Sequence, residues 1–499
     1  MNYQSLKSGT DIRGKALGAQ AVVTDELAGK VGGAFVVWLK RNGLENIRVA
    51  IGRDSRLTGD KLLAACAKGM AAFGANVLDF GLCTTPAMYQ SIQYAPLNLA
   101  ASIMVTASHH PSDRNGFKFF TREHGGVSAV DLEEILSIAA EITGESENKG
   151  DITKFDYLSI YCEHLSNLVR TKLETDVNCP LLGLHVVVDA GNGAGGFYEK
   201  LLRELGAWTE GSQFLEPDGR FPNHIPNPED ADAMASLSLA VQKAGADMGV
   251  IFDADCDRAA IVDSTGKEIN RNRLIALVAA VLLDKEPGIT VVTDSVTSSG
   301  LSKFIGEWGG IHYRYKRGYR NVIDEAIRLN HSGVNCPLAI ETSGHAAFRE
   351  NSFMDDGMYL STLLICEAIR MKQEGKSLFA LIDGLKEPVE SIEIRMPITS
   401  KDFRATGLRL IEKVMDFAEN DDSWNIAPDN REGVRIGFNL QNNTDNGWFL
   451  LRMSVHDPVM PLNVESDVQG GVREMLSMLY AVIKDTPDID MTTLINLLK

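Results

Sequence analysis

Apolar β-rich runs alternate along this chain with amphipathic stretches, and three of the junctions between them look alike. Residues 47–65 carry Ile-Arg-Val-Ala-Ile-Gly-Arg-Asp-Ser-Arg and then Gly-Asp-Lys-Leu-Leu-Ala-Ala. Residues 186–206 carry Val-Val-Val-Asp-Ala-Gly-Asn-Gly-Ala-Gly-Gly and then Phe-Tyr-Glu-Lys-Leu-Leu. Residues 290–305 carry Thr-Val-Val-Thr-Asp-Ser-Val-Thr-Ser-Ser-Gly and then Leu-Ser-Lys-Phe-Ile. Each apolar run ends in a small, polar turn containing an aspartate, and an amphipathic helix follows. Continuous apolar strands are buried on both faces, so the pattern predicts βαβ units and partly parallel sheets. Three copies, each roughly 100 residues or more from the last, predict three related α/β domains.

Beyond the third copy the pattern changes. Short alternating strands at Ile392–Met396 and Trp448–Ser454, with helices over 401–418 and 467–484, predict a smaller α+β domain. Breaks are expected at the polar stretch Glu145–Thr153, at the long helix starting near Arg271, and at Lys386–Ser391. The expected domains are therefore 1–155, 156–270, 271–386 and 387–499. A chain of 499 residues with 44% hydrophobic and 23% charged residues has the composition of a soluble globular protein. Its net charge of −18 sets the surface against nucleic acid and anionic membranes, so an anionic substrate needs a local positive pocket. The seven scattered cysteines form no CxxC and read as free thiols. The N-terminal stretch lacks the apolar segment of a secretory signal, and the longest apolar run, Leu274–Leu283, is too short to span a bilayer. The expected location is cytoplasmic.

Two constellations carry the chemistry. In the first, Ile103–Val105 leads into Thr-Ala-Ser-His-His-Pro-Ser-Asp-Arg-Asn-Gly-Phe-Lys at 106–118. Small and turn-forming residues there are expected to hold the hydroxyl of Ser108 out of the packed core, as a nucleophile or a phosphate carrier. In the second, Asp253, Asp255 and Asp257 follow the apolar strand Met248–Phe252. Carboxylates at alternate positions share a face at a strand end, and three together call for a cation. Hard oxygen ligands suit Mg²⁺. An EF-hand is excluded, because Arg258 and Ser264 stand where glycine and glutamate are required. A phosphorylated Ser108 beside the triad would be repelled by roughly 3 kcal/mol per pair of unit charges about 5 Å apart. A bridging divalent cation removes that repulsion and polarises the phosphoryl group.

A third motif, Gly191-Asn192-Gly193-Ala194-Gly195-Gly196, matches the dinucleotide fingerprint, with Glu216 about 20 residues further on. Tight packing of a strand-to-helix turn accounts for the same glycines, and Asp189 would face a pyrophosphate with the wrong charge. Three polar patches complete the inventory: Lys316-Arg317-Gly318-Tyr319-Arg320, Glu341-Thr342-Ser343-Gly344-His345, and Arg452-Met453-Ser454-Val455-His456-Asp457-Pro458. The last gathers an arginine, a hydroxyl and loop amides suited to a phosphate.

Together these residues resemble the α-D-phosphohexomutase superfamily, collinearly over nearly the whole chain. The resemblance runs through Ser-Gly-Thr-Asp-Ile-Arg-Gly at 8–14, Gly-Arg-Asp-Ser-Arg at 52–56, Thr-Thr-Pro at 84–86 and Thr-Ala-Ser-His-His-Pro at 106–111. It continues through residues 217–229, the Asp triad, the Glu341 loop and the Arg452 loop. It implies an α/β fold of four domains around a central cleft, the first three of related topology and the fourth α+β. It implies a phosphoglucomutase/phosphomannomutase that interconverts hexose 1- and 6-phosphates, a small-molecule reaction involving neither nucleic acid nor membrane. Ser108 would carry the phosphoryl group, and a glucose or mannose 1,6-bisphosphate would be the intermediate and activator.

By the same resemblance, Mg²⁺ would be bound by Asp253, Asp255, Asp257 and the phosphate on Ser108. Lys118 and Arg13 would be catalytic, with Lys118 first and His109 and His345 next for proton handling. Glu341, Ser343, Arg258, Gly318 and Tyr319 would bind the sugar. Arg452, Ser454, Val455 and His456 would hold the phosphate that does not react. The Glu-Thr-Ser-Gly-His loop resembles the glucose/mannose branch. Departures are Val455-His456-Asp457 in place of Gly-Thr-Glu, Cys256 for a small residue, Tyr319 for histidine and Ile340 for glycine. Alternatives are an amino-sugar phosphate mutase, a non-catalytic sugar-phosphate sensor and a nicotinamide-dependent oxidoreductase. Monomer and dimer are both open.

Overall fold

The computed structural model describes residues 3–122, 125–454 and 457–499. The chain forms two compact units, Met1–Leu274 with Ser343–Ala380, and Ile275–Thr342 with Leu381–Lys499.

In the first unit an eight-stranded sheet is built around the first copy of the repeat. Its parallel centre runs Ala101–Val105, Arg48–Arg53, Asn76–Leu82 and Ile152–Lys154, in that order. Arg114–Thr121 joins antiparallel to Ala101–Val105, and Asp11–Lys15 follows it. The strand Arg48–Arg53 is buried at every position but its two arginine ends, which explains its unbroken apolar run. Helices Asp25–Arg41 and Gly59–Ala72 cover one face. They pack backbone to backbone: a Cβ on Gly32 would lie 2.2 Å from the Cys66 carbonyl oxygen, so no larger residue fits there. Residues Ile152–Lys154, at the end of the polar stretch Glu145–Thr153 read as a linker, add an exposed edge strand.

The second copy forms a four-stranded sheet. Val186–Asp189 pairs parallel with Met248–Phe252, which turns back as Ala259–Asp263 and then Glu268–Ile269. Helix Ala231–Ala244 buries Met234, Leu237 and Val241 against Val187, Ile251, Ala260 and Val262 of this sheet. The serine loop and the Asp triad thus occupy the same topological place, each joining a parallel strand to its antiparallel neighbour.

In the second unit Thr290–Asp294 pairs parallel with Ile311–Tyr315 on one side and Leu338–Ile340 on the other. Helices Ser299–Glu307 and Tyr319–His331 make the crossovers. The last sheet is antiparallel throughout: Glu390–Pro397, Val459–Ser466, Gly447–Leu451, Val434–Phe438 and Asn425–Ile426, in that order. Helices Phe403–Ala418 and Gly471–Ile483 close its core. All three strand-turn-helix copies read from the sequence are present, and so is the different fourth pattern.

Candidate functional site

Ser108 sits at the head of the loop between Val105 and Arg114 with φ of 49°, a left-handed conformation that costs a non-glycine residue about 1–3 kcal/mol. Neighbouring groups hold it there. The Ser108 amide donates to Thr106 Oγ1 at 2.8 Å, and that hydroxyl donates to Asp54 Oδ2 at 2.6 Å. Arg13 donates to the Thr106 carbonyl and pairs with Asp11 at 2.7 Å. The expectation of a hydroxyl outside the core is corrected here. Ser108 is only 4% exposed, because its Oγ donates to Asp253 Oδ2 at 2.7 Å. His109 Nδ1 lies 3.3 Å from the same Oγ. The positive charge of Arg258, then burial, then His110 and Arg13 hold the His109 imidazole neutral, well below its ordinary pKa. Burial, then Arg13, Arg114 and Arg56, push His110 down to about 3.

Asp253, Asp255 and Asp257 are all buried, and one ligand oxygen from each lies within 4.8 Å of the others. Burial, followed by the charges of Asp255 and Asp257, raises Asp253 well above the carboxylate range. Burial also opposes ionisation of Asp255 and Asp257, yet Lys118 holds both below that range. Lys118 Nζ donates to Asp255 Oδ2 at 2.8 Å and to Asp257 Oδ2, and Thr85 Oγ1 donates to Asp255 at 2.5 Å. The other oxygen of Asp255 is buried without a hydrogen-bond partner, and that of Asp257 faces His345 Nε2 at 3.6 Å. Three converging carboxylates, two of them with a buried oxygen that accepts no hydrogen bond, fit a hard divalent cation.

The glycine motif lies directly behind this loop. Ala194 N donates to the Ala254 carbonyl at 2.8 Å, and a Cβ on Gly193 would come within 2.7 Å of that oxygen. Cys256 takes φ of 67°, and its Sγ would lie 2.9 Å from a Cβ on Gly195. The glycines let the strand-to-helix turn press against the triad. Arg258, at the end of the loop, donates to His345 Nε2 at 3.2 Å and lies 3.6 Å from Glu229. His345 Nδ1 in turn lies 2.9 Å from Ser343 Oγ.

The remaining candidates belong to the second unit. Glu341 is buried at the end of Leu338–Ile340 and accepts from Gly318 N at 2.7 Å. Gly318 has φ of 114°, which a side chain would strain. Tyr319 opens the helix that follows. Thr342 Oγ1 donates to Asp294 Oδ2 at 2.7 Å. Burial pushes Asp294 up to about 7 against the pull of Arg317, with Glu341 adding to the rise. Arg452 is buried with its Nε unpartnered, and Ser454 Oγ accepts from Asp457 N at 3.3 Å. Val455 and His456 lie outside the described residues. Ser108, Lys118, Arg13, His109, Arg258, Ser343, His345 and the triad therefore share one unit; Glu341, Gly318, Tyr319, Arg452 and Ser454 share the other.

Comparison with known proteins gives this arrangement a lineage. Domains I, II and III of the "Phosphoglucomutase/phosphomannomutase, alpha/beta/alpha" family match residues 5–146, 159–266 and 270–388. A phosphoglucomutase of Neisseria gonorrhoeae is 31% identical over 94% of this chain and 95% of its own length. The chain belongs to the phosphoglucomutase/phosphomannomutase family. A phosphomannomutase/phosphoglucomutase of Pseudomonas syringae is also 31% identical, over 89% of this chain and 88% of that protein. A solved phosphoglucomutase/phosphomannomutase family protein from Burkholderia thailandensis is 27% identical, with a TM-score of 0.79 over 97% of this chain and 98% of the other. This family member is accordingly an enzyme of the intramolecular phosphotransferase class.

The aspartate read in the turn of each copy, given no role from the sequence, orders a loop in this phosphoglucomutase/phosphomannomutase family member. Asp54 follows, and Asp189 and Asp294 end, the strand of each copy, and all three are fully buried. Asp54 accepts the Arg56 amide at 3.0 Å and Asp189 the Gly191 amide at 2.8 Å. Their recurrence in the repeat was the available signal. Glu432, which accepts from Ser295 Oγ and from Arg317 N at 3.1 Å, had no such signal, since it lies outside any regular element.

One consequence is titratable. His224 Nε2 is 3.1 Å from both oxygens of Asp189, and its Nδ1 is 2.8 Å from the Ile225 carbonyl. Two acceptors favour the imidazolium, so the pair outweighs burial and raises the His224 pKa. A raised folded-state pKa contributes stability that is full below the unfolded value of about 6.5 and fades as pH rises through the folded value. In melting curves, His224→Gln is expected to lower the midpoint by about 2 °C at pH 6 and by less at pH 9. A deficit that grows with pH would contradict this.

Proposed function

We propose that the protein is a Mg²⁺-dependent hexose-phosphate mutase that interconverts the 1- and 6-phosphates of glucose, mannose or both. The observation that carries this reading is Ser108 Oγ hydrogen-bonded at 2.7 Å to a triad of buried carboxylates that retains an unsatisfied oxygen. Asp253, Asp255 and Asp257 would hold Mg²⁺, which supplies charge neutralisation for phosphoryl transfer.

The side chains divide the remaining work. Ser108 carries a phosphoryl group whose P–O bond to Oγ breaks as a sugar hydroxyl oxygen bonds to phosphorus. The sugar bisphosphate so formed then returns its other phosphate to Ser108. When that hydroxyl is rephosphorylated its proton passes to the sugar oxygen that departs; His109, 3.3 Å from Ser108 Oγ but kept neutral by nearby positive charge, is a poor base and serves to orient the hydroxyl. Lys118, held as an ammonium by Asp255 and Asp257, suits charge stabilisation better than the proton-handling role first considered for it. Arg13 and Arg258 add positive charge in a protein of net charge −18. Glu341 and Ser343 serve sugar hydroxyls, and Arg452 and Ser454 serve the distal phosphate.

The test pairs intact mass with turnover. Incubation with glucose 1,6-bisphosphate is expected to add one phosphoryl group at Ser108. A coupled assay should then show conversion of glucose 1-phosphate or mannose 1-phosphate. Sugar-phosphate binding without turnover in the primed, Mg²⁺-supplied protein would overturn the proposal in favour of a sensor.

A further inference from the structure

Arg56 is not among the residues assigned to the chemistry above, yet four of its five N–H donors go to the serine loop. A guanidinium has five N–H donors in a rigid plane. All five of Arg56 are engaged. Nε donates to Asp54 Oδ2 at 3.1 Å. Nη1 donates to the carbonyls of Pro111 and Arg114 at 2.8 and 2.9 Å. Nη2 donates to the carbonyls of Ser108 and His110 at 2.5 and 2.6 Å. The ring of Phe221 covers the group at 5.2 Å, and Arg56 is 2% exposed.

We propose that Arg56 is a positioning residue which, by gathering four main-chain carbonyls of one loop onto a single plane, fixes Ser108 in its left-handed conformation with Oγ aimed at the aspartates. This rests on the reading of Ser108 as the phosphoryl carrier. Burying an arginine costs several kcal/mol unless it is fully hydrogen-bonded, and here the loop main chain supplies most of the acceptors. The loop and the guanidinium therefore stabilise each other. The same main chain sets the Ser108 rotamer through the Ser108 amide, Thr106 Oγ1 and Asp54, which also anchors Arg56. Lysine cannot replace this fork, since its three donors diverge from one atom.

The experiment compares wild type, Arg56→Lys and the near-isosteric Thr106→Val, all primed with glucose 1,6-bisphosphate at saturating Mg²⁺. Displacing a reacting group by about 1 Å costs about 100-fold in rate. Arg56→Lys is thus expected to lower kcat about 100-fold with the KM for sugar phosphate within about threefold. Thr106→Val should lower kcat about tenfold on the same pattern. A general loss of structure would move KM and the melting midpoint along with kcat. Folded Arg56→Lys with wild-type kcat overturns the inference. If that variant does not fold, unchanged kcat in Thr106→Val overturns it. A wild type without mutase turnover overturns the functional reading instead.

Discussion

Ser108→Ala is expected to lower mutase turnover by at least about four orders of magnitude while the protein stays folded. The substitution removes one oxygen, and with it the hydrogen bond to Asp253 and the contact with His109. The loop keeps its shape, because its amide and carbonyl contacts to Thr106 and Arg56 do not involve Oγ. Stability should therefore change by only about 1 kcal/mol, the net worth of one hydrogen bond. Activity should collapse because the proposed cycle stores its phosphoryl group on this hydroxyl. A coupled assay with and without glucose 1,6-bisphosphate, read beside a thermal melt, checks this. Turnover within tenfold of wild type would remove Ser108 from the cycle.

The second large effect is expected at Asp255. Asp255→Asn removes a charge from the triad and weakens the anchor of Lys118 while preserving side-chain size. Mg²⁺ affinity and kcat should fall together, each by at least about 100-fold. The two are separable from general damage. Mg²⁺ bound at the triad would stabilise the folded state by mass action, so it is expected to raise the melting midpoint of the wild type and not of the variant. An unchanged Mg²⁺ dependence in Asp255→Asn would count against the triad as the metal site.

The Asp triad was legible in the sequence because its carboxylates alternate directly after a buried strand, a spacing that leaves few other arrangements. The three strand-turn-helix copies were legible because each buried parallel strand is a mostly apolar run closed by an aspartate-containing turn. The burial of Ser108 was not legible, since the carboxylate that closes over it is 145 residues away. The role of Arg56 was not legible because most of its partners are main-chain carbonyls, which leave no mark on side-chain patterning. Helix Gly357–Gln373 is buried on nearly every side and so lacks the amphipathic stripe by which helices are found. Ile152–Lys154 escaped for the opposite reason, being an edge strand exposed at every residue.

The way the serine loop is gripped bears on how its specificity can change. Within the serine loop Arg56 reads only carbonyl oxygens, which every residue possesses, so the loop's shape is insulated from the identity of its side chains. His109, His110 and Asp113 can be rewritten without dismantling the mould in which Ser108 sits. An evolutionary or laboratory search over those positions explores chemistry at a fixed geometry, whereas a change at position 56 alters the geometry for every one of them.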